Sequence, residues 1–351
     1  MLQSTQHCGQ PSNKPVKHHH VNRKYLEGFC LPNGELFQYL MPSGEDKVIQ
    51  PKWTLGNPNT VGYVYHLYDS PADSDRRCHI EGELGQIEHP AMAKIADILR
   101  LKPESFDYSS HEQVVVYIAA MAMRTPAALD MKKKIDPWIK TGLVGGEYPN
   151  NLGPDGILKD VGLIRSHLQR IHWYLYWFDE KDGRTLVTSD RPVGLYALAE
   201  TDPLTGEINQ PSPLEAALPD NWAKQAIFTF PLSSCCAALG FKGPKRELER
   251  EISRQVGIDC DDRLPAWINA MTAWMVNHVY TPNKNAKFLL PNPPKGPGAP
   301  KFLPAPTSGI LLPVPRNRLG TIEEFVPLAD TFHKNNTIPL PSPVATLKTE
   351  H

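Results

Sequence analysis

Apolar positions along the chain change period several times, and each change predicts an element. Tyr25 to Phe29 predicts a short helical turn, and the Pro32-Asn33-Gly34 turn signal separates it from a strand over Leu36 to Leu40. Val61 to Tyr68 alternates with aromatic residues, the pattern of a strand or edge segment, and ends in a loop from Asp69 to Arg77. Ile87, Met92, Ile95, Ala96 and Leu99 fall near one face of a helix. Ser110 with Gln113 offers a capping box for the next helix, whose segment Val114 to Met123 is apolar on every side and so belongs at the centre of the fold. Proline disfavours helical backbone in the residue before it, so this helix should end at Arg124-Thr125-Pro126, where Thr and Pro suit the start of another. A further stripe, Ile157, Val161, Ile164, Leu168 and Ile171, predicts one more helix.

The period then shortens. Trp173 to Phe178, the turn Glu180-Lys181-Asp182-Gly183, and Thr185 to Thr188 read as a hairpin. Ala226 to Phe230 and Cys235 to Leu239 predict further strands, and helices follow at Glu247 to Val256 and Leu264 to Tyr280, the second carrying Trp267, Met271, Trp274, Met275 and His278 on one side. Beyond Tyr280 lie fourteen of the 35 prolines in the last 71 residues, which predicts a tail of extended structure that wraps the domain or stays disordered, with no second core. The expected architecture is α+β: a mostly helical single domain over residues 18–281 with a small antiparallel sheet, a flexible arm at 1–17 and a proline-rich extended tail at 282–351.

Composition narrows the function classes only a little. With Lys+Arg 37 against Asp+Glu 38 among 351 residues, the formal net charge of -1 gives no general attraction to nucleic acid, though a local basic patch remains allowed. Cys8, Cys30, Cys78, Cys235, Cys236 and Cys260 show no Cys-x-x-Cys spacing, which argues against a zinc ribbon or redox motif. The opening residues lack the apolar core of a signal peptide, and the longest apolar stretch, Val114 to Met123, falls well short of the roughly 20 residues a membrane span needs. These features predict a cytoplasmic protein with no membrane partner.

Phosphate-loop spacing, serine-hydrolase elbows and His-Glu-x-x-His helices are absent. Arg165 and His172 fit an Arg-His spacing used by one class of helical ribonucleases, a pattern that arises often by chance. Other polar positions each have a bland explanation. Glu81, Glu83 and Glu88 favour the positive end of a helix, Asp190 suits an Asx turn, Arg124 at the end of a buried helix must be paired, and Asn269 interrupts an apolar helix.

Their order adds something that no single position carries. His19-His20-Val21-Asn22-Arg23-Lys24-Tyr25-Leu26-Glu27-Gly28-Phe29 is followed by Ile87-Glu88, Arg124-Thr125-Pro126, Thr188-Ser189-Asp190 with Pro192, Phe230-Pro231-Leu232-Ser233, and Asn269 ahead of Val279-Tyr280. This series resembles the domain-of-unknown-function family 4238, a group of mainly bacterial proteins whose signature opens with His, an aromatic residue, Val-Pro and then Tyr-Leu-x-x-Phe. Asn22 stands at the usual proline. The resemblance covers about residues 18 to 281 and implies a site without naming a reaction. Its candidate residues are His19, Glu88, Arg124, Asp190 and Asn269. His19 would be a ligand or general base, Glu88 and Asp190 acid-base groups or metal ligands, and Arg124 an anion clamp. No cofactor is specified, although His19, Glu88 and Asp190 are types that hold a divalent metal. The leading expectation is a hydrolase-like enzyme acting on a phosphate-containing or nucleic-acid substrate. The alternative is a non-enzymatic sensor or interaction protein in bacterial stress or phage defence, and these residues do not decide between the two. Substrate and oligomeric state are not specified by the sequence.

Overall fold

The computed structural model describes residues 17–40, 52–65, 67–68, 76–126, 129, 155–180, 184–197, 200–201, 208–209, 226–253, 263–273, 276, 278–291, 302–305, 310–313 and 315–328. At its centre is an antiparallel sheet of five strands, in the spatial order 105–106, 172–177, 236–241, 226–233 and 194–197. In chain order the elements begin with β1 (Lys17–His19), α1 (Arg23–Glu27), β2 (Leu36–Leu40), β3 (Lys52–Gly56) and β4 (Tyr63–Tyr65). Next come α2 (Arg76–Leu101), β5 (Ser105–Phe106), α3 (Tyr108–Met123), α4 (Asp155–Leu168) and β6 (His172–Trp177). The short strands β7 (Thr188–Ser189), β8 (Gly194–Ala197), β9 (Glu200–Thr201) and β10 (Ile208–Asn209) lead to β11 (Ala226–Ser233) and β12 (Cys236–Phe241). Then follow α5 (Lys245–Glu251), α6 (Leu264–Thr272), β13 (His278–Thr281), β14 (Phe288–Pro291), β15 (Phe302–Ala305), β16 (Ile310–Pro313) and β17 (Pro315–Gly320).

Strand alternation sends side chains of the central sheet to opposite faces, and both faces are covered. Trp173, Leu175, Phe228, Phe230, Cys236 and Ala238 pack with buried residues of α2, α3 and α4. Tyr174, Tyr176, Ile227, Ala237, Leu239 and Phe241 pack instead with Leu248 of α5, Trp267 and Ile268 of α6, and Phe288 and Leu289 of β14. Every residue of β11 and β12 is therefore buried. Gly240 lies opposite Trp173 in the β12–β6 register, and a Cβ there would come within 2.9 Å of the Trp173 ring. Close sheet packing thus requires glycine at that point.

This arrangement corrects the expected fold class. The protein is α+β, but it is not a mostly helical single domain with one small sheet: the five-stranded sheet is joined by a four-stranded sheet, β3-β2-β13-β7, and by two-stranded pairs. The expected hairpin of 173–178 with 185–188 does not form, because β6 pairs with β12 and β5 while β7 pairs with β13 in the other sheet. Local turn residues signalled a reversal without fixing the partner. The expected helix Leu264 to Tyr280 stops at Thr272, and His278–Thr281 forms a strand bonded on both sides, to β2 and β7. Val279, Tyr280 and Thr281 are β-branched or aromatic, and two neighbouring strands outweigh the helical stripe there.

Residues after 281 also enter a core. Ala286, Phe288, Leu289 and Leu290 are buried with Ile322, Phe325 and Val326 of a helical segment at 322–328, and β14 pairs with β17. These residues of the proline-rich segment therefore pack into a second apolar cluster. Residues 1–16 and 329–351 lie outside the described residues. Among the described residues, no helix is long and apolar enough to cross a membrane.

Candidate functional site

The histidine run is placed by a short β ribbon. β1 pairs antiparallel with β4 in the register Lys17↔Tyr65, His18↔Val64 and His19↔Tyr63. The ribbon closes on Gly62, whose φ of 69° lies in the left-handed region and whose carbonyl accepts the His20 and Val21 N–H groups at 3.0 and 3.1 Å. Alternation turns His18 inward, where its Nδ1 accepts the Tyr68 N–H at 2.9 Å and its ring stacks on Tyr68. His19 faces the other way and remains half-buried.

Asn22 then links this segment to its surroundings. Its side-chain oxygen caps α1 by accepting the Lys24 and Tyr25 N–H groups at 2.8 and 3.2 Å, and its Nδ2 donates to Glu88. The backbone at Asn22 has φ -61° and ψ 133°. That is the φ a proline ring imposes, so asparagine preserves the turn and adds a side chain that holds Glu88.

Arg124 sits at the C-terminal cap of α3, only 2% exposed. One guanidinium nitrogen donates to Glu88 and another to the His19 carbonyl, while Nε is buried without a partner. Beside this pair opens a cleft of about 370 Å³. One wall is a face of α2, Glu81, Gly85, Glu88, His89 and Met92, spaced by roughly one or two turns. The opposite side is the loop into α1 with His19, Asn22, Arg23 and Lys24, and Arg124 forms part of the lining.

Two titratable groups in this cleft are displaced in opposite directions. Burial raises the Glu81 carboxyl above the usual carboxylate range, against the attraction of Arg124, and its Oε1 is buried with no hydrogen-bond partner. Burial lowers His19, with repulsion from Arg124, Lys17 and Arg23 adding to it, and its Nε2 likewise lacks a partner. His19 is therefore neutral at pH 7. Deeper in, His20 is pushed down to about 3, first by burial and then by Arg124, His278 and His19, and neither of its ring nitrogens has a partner.

A family model described as a protein of unknown function, DUF4238, matches residues 17–288. The chain belongs to that family. No curated protein and no solved structure matches it.

The DUF4238 positions singled out in the sequence sort into two groups in space. Tyr25 stacks on Phe230 with ring centroids 5.3 Å apart, its hydroxyl donates to the Pro231 carbonyl at 2.6 Å, and it lies 2.9 Å from the Thr188 hydroxyl. These positions form a packed junction. His19, Glu88 and Arg124 instead surround the cleft.

Asp190 and Asn269 do not line that cleft. Asp190 is buried in the second sheet region, where its N–H donates to the His278 carbonyl at 3.2 Å, and its charge opposes the burial that lowers Arg191 to about 10. Asn269 is fully buried. Its oxygen accepts the Val187 N–H at 2.9 Å, and its nitrogen donates to the carbonyls of Thr185 at 3.0 Å and Lys287 at 2.9 Å. Among the described residues, no group of three or more His, Cys, Asp or Glu side chains is placed to hold a metal ion. His19, Glu88 and Asp190 thus do not come together as a ligand set. Arg165 pairs at the surface with Glu112, and His172 is exposed.

Glu81 is the cleft residue that the sequence alone does not single out. A helix-dipole role accounts for its presence, but the spacing of seven between Glu81 and Glu88 puts both carboxylates on one face of α2.

Proposed function

We propose that this DUF4238 protein is a hydrolase-like enzyme for a phosphate-containing substrate, with its reaction centre in the cleft between α2 and the His19 segment. The observation that carries this reading is the pair of unpartnered buried atoms, Oε1 of Glu81 and Nε2 of His19, on groups whose proton affinities are shifted in opposite directions. Neutral His19 takes a proton from an attacking water. Protonated Glu81 gives one to the leaving oxygen as the phosphorus-oxygen bond breaks. Arg23 and Lys24 at the rim face the substrate's negative charge. Arg124 and Glu88 act on position: Arg124 holds the His19 carbonyl, and Glu88 holds Arg124 and Asn22. In this scheme Arg124 is a positioning residue and not the anion clamp, and the setting is cytoplasmic.

The test is a panel of phosphate mono- and diesters with wild type, His19→Gln and Glu81→Gln, each checked by thermal unfolding. The expected result is turnover by wild type and a loss of about a hundredfold or more in each folded variant. Turnover that survives both substitutions overturns the reading. The pH profile should be a bell: rate falls at low pH as His19 gains a proton and at higher pH as Glu81 loses its own.

A second reading, a non-enzymatic sensor or interaction protein in bacterial stress or phage defence, is favoured by the Arg124–Glu88–Asn22 network. That network joins α3, α2 and the N-terminal segment in the way a structural cluster does. Folded wild type without turnover on any ester would favour it.

A further inference from the structure

The face of the β1–β4 ribbon that carries His19 continues beyond the cleft. Residues two apart share a face, and the register places Lys17 opposite Tyr65 and His19 opposite Tyr63, so these four side chains lie together while His18 and Val64 lie on the other side. The contacts agree: the His19 and Tyr63 rings are 5.8 Å apart, and Tyr63 and Tyr65 meet edge to face at 5.4 Å. The Lys17 ammonium lies 4.5 Å from the Tyr63 ring centroid and 5.9 Å from that of Tyr65. Tyr65 is 46% exposed. The row therefore runs from an exposed aromatic ring through a lysine and a second ring to His19, whose side chain enters the cleft where Arg23 and Lys24 stand. Glu27, 3.7 Å from Arg23, offsets part of that charge, and Asn59 also holds the Arg23 guanidinium.

We infer that this ribbon face is a binding platform for single-stranded nucleic acid, which lays bases on Tyr65 and Tyr63 and leads a backbone phosphate into the cleft. The inference rests on the cleft being the site of phosphate chemistry and names its substrate class. Aromatic rings alternating with cations suit a strand whose bases are free to stack and whose phosphates need neutralising. A duplex keeps its base faces inside the helix and offers the rings nothing. The chain's net charge of -1 makes any such binding a property of this patch and not of the whole surface.

The experiment is fluorescence anisotropy of a dye-labelled, phosphorothioate-linked oligothymidylate with the full chain across a salt series. Wild type is expected to bind, with duplex of the same length binding more weakly. Tyr65→Ala should weaken binding by about fivefold or more, with Tyr65→Phe close to wild type. Lys17→Ala should reduce the slope of log affinity against log salt by about one. Leu319→Ala, at another exposed apolar residue, should change nothing. Equal binding of duplex, binding by Tyr65→Ala that matches wild type, or no binding by folded wild type would each overturn the platform. Bis(p-nitrophenyl) phosphate has no nucleobase and reads the cleft alone. Wild-type hydrolysis of it without oligonucleotide binding overturns the platform and leaves the cleft reading intact, while Tyr65-dependent binding without hydrolysis upholds the platform and sinks the hydrolase.

Discussion

Two buried polar regions of this protein are built on opposite terms. Asn269 lies inside an apolar helix and uses its side chain fully, one acceptor and two donors, on three backbone groups from segments on either side. Around the cleft, Glu81 Oε1, His19 Nε2 and Arg124 Nε are all buried and all without partners. A satisfied polar group in a core fixes one arrangement of strands, whereas unsatisfied groups gathered at an opening keep free energy in reserve for something that binds there. Burial and charge alone do not separate structural from functional residues here. Satisfaction does.

The largest expected effect comes from removing the cover next to Asn269. Truncation after residue 300 deletes β17 and the buried Ile322, Phe325 and Val326 that pack with Phe288 and Leu290. Large-to-small losses of such residues cost about 2 to 5 kcal/mol each, so the truncated chain should lose its cooperative thermal transition. A truncated protein that melts as sharply as the full chain would show that the second apolar cluster does not depend on this segment.

Asn269→Ala comes next. It leaves Val187 N–H and two carbonyls unsatisfied, for a loss on the order of 3 to 5 kcal/mol in urea unfolding. Arg124→Ala should cost about 3 kcal/mol by stranding Glu88, and the double variant with Glu88→Gln should recover part of it. Additive losses would break the proposed coupling. Glu81→Gln is expected to be within about 1 kcal/mol of wild type at pH 7, since it removes a charge that burial already disfavours.

The last effect appears only in acid. His20 titrates near 6.5 when unfolded and near 3 when folded, so the unfolded chain binds the extra proton between those values. The stability that neutral His20 gives is complete above about 6.5 and is lost as pH falls towards 3, at up to about 1.4 kcal/mol per pH unit. His20→Leu should flatten that part of the stability curve, as measured by urea midpoints from pH 7 to 4. An unchanged curve would mean that His20 does not carry the acid sensitivity.

Much of this was legible in the sequence where a local signal has a local cause. The strand Leu36–Leu40 and the end of α3 at Met123, before Thr125-Pro126, follow from alternation and from proline sterics. The helix at Asp155–Leu168 follows from its apolar stripe. What stayed hidden depends on partners distant in the chain. Nothing near Trp173 says that its strand pairs with residues 236–241, and nothing near Asn22 says that its amide will meet Glu88, 66 positions away. The order of family-like positions singled out His19, Glu88 and Arg124, which share the cleft, together with Asp190 and Asn269, which do not line it. Residue type and order carry no information about whether hydrogen-bonding capacity is already spent, and that is what distinguishes Asn269 from Glu81.

The central contrast is tested most directly by measuring phosphodiester hydrolysis and urea midpoint together on Glu81→Gln and Asn269→Ala. The account predicts a crossed pattern: Glu81→Gln as stable as wild type and inactive, Asn269→Ala much less stable and, while folded, still active. Loss of stability in Glu81→Gln with activity retained would contradict it.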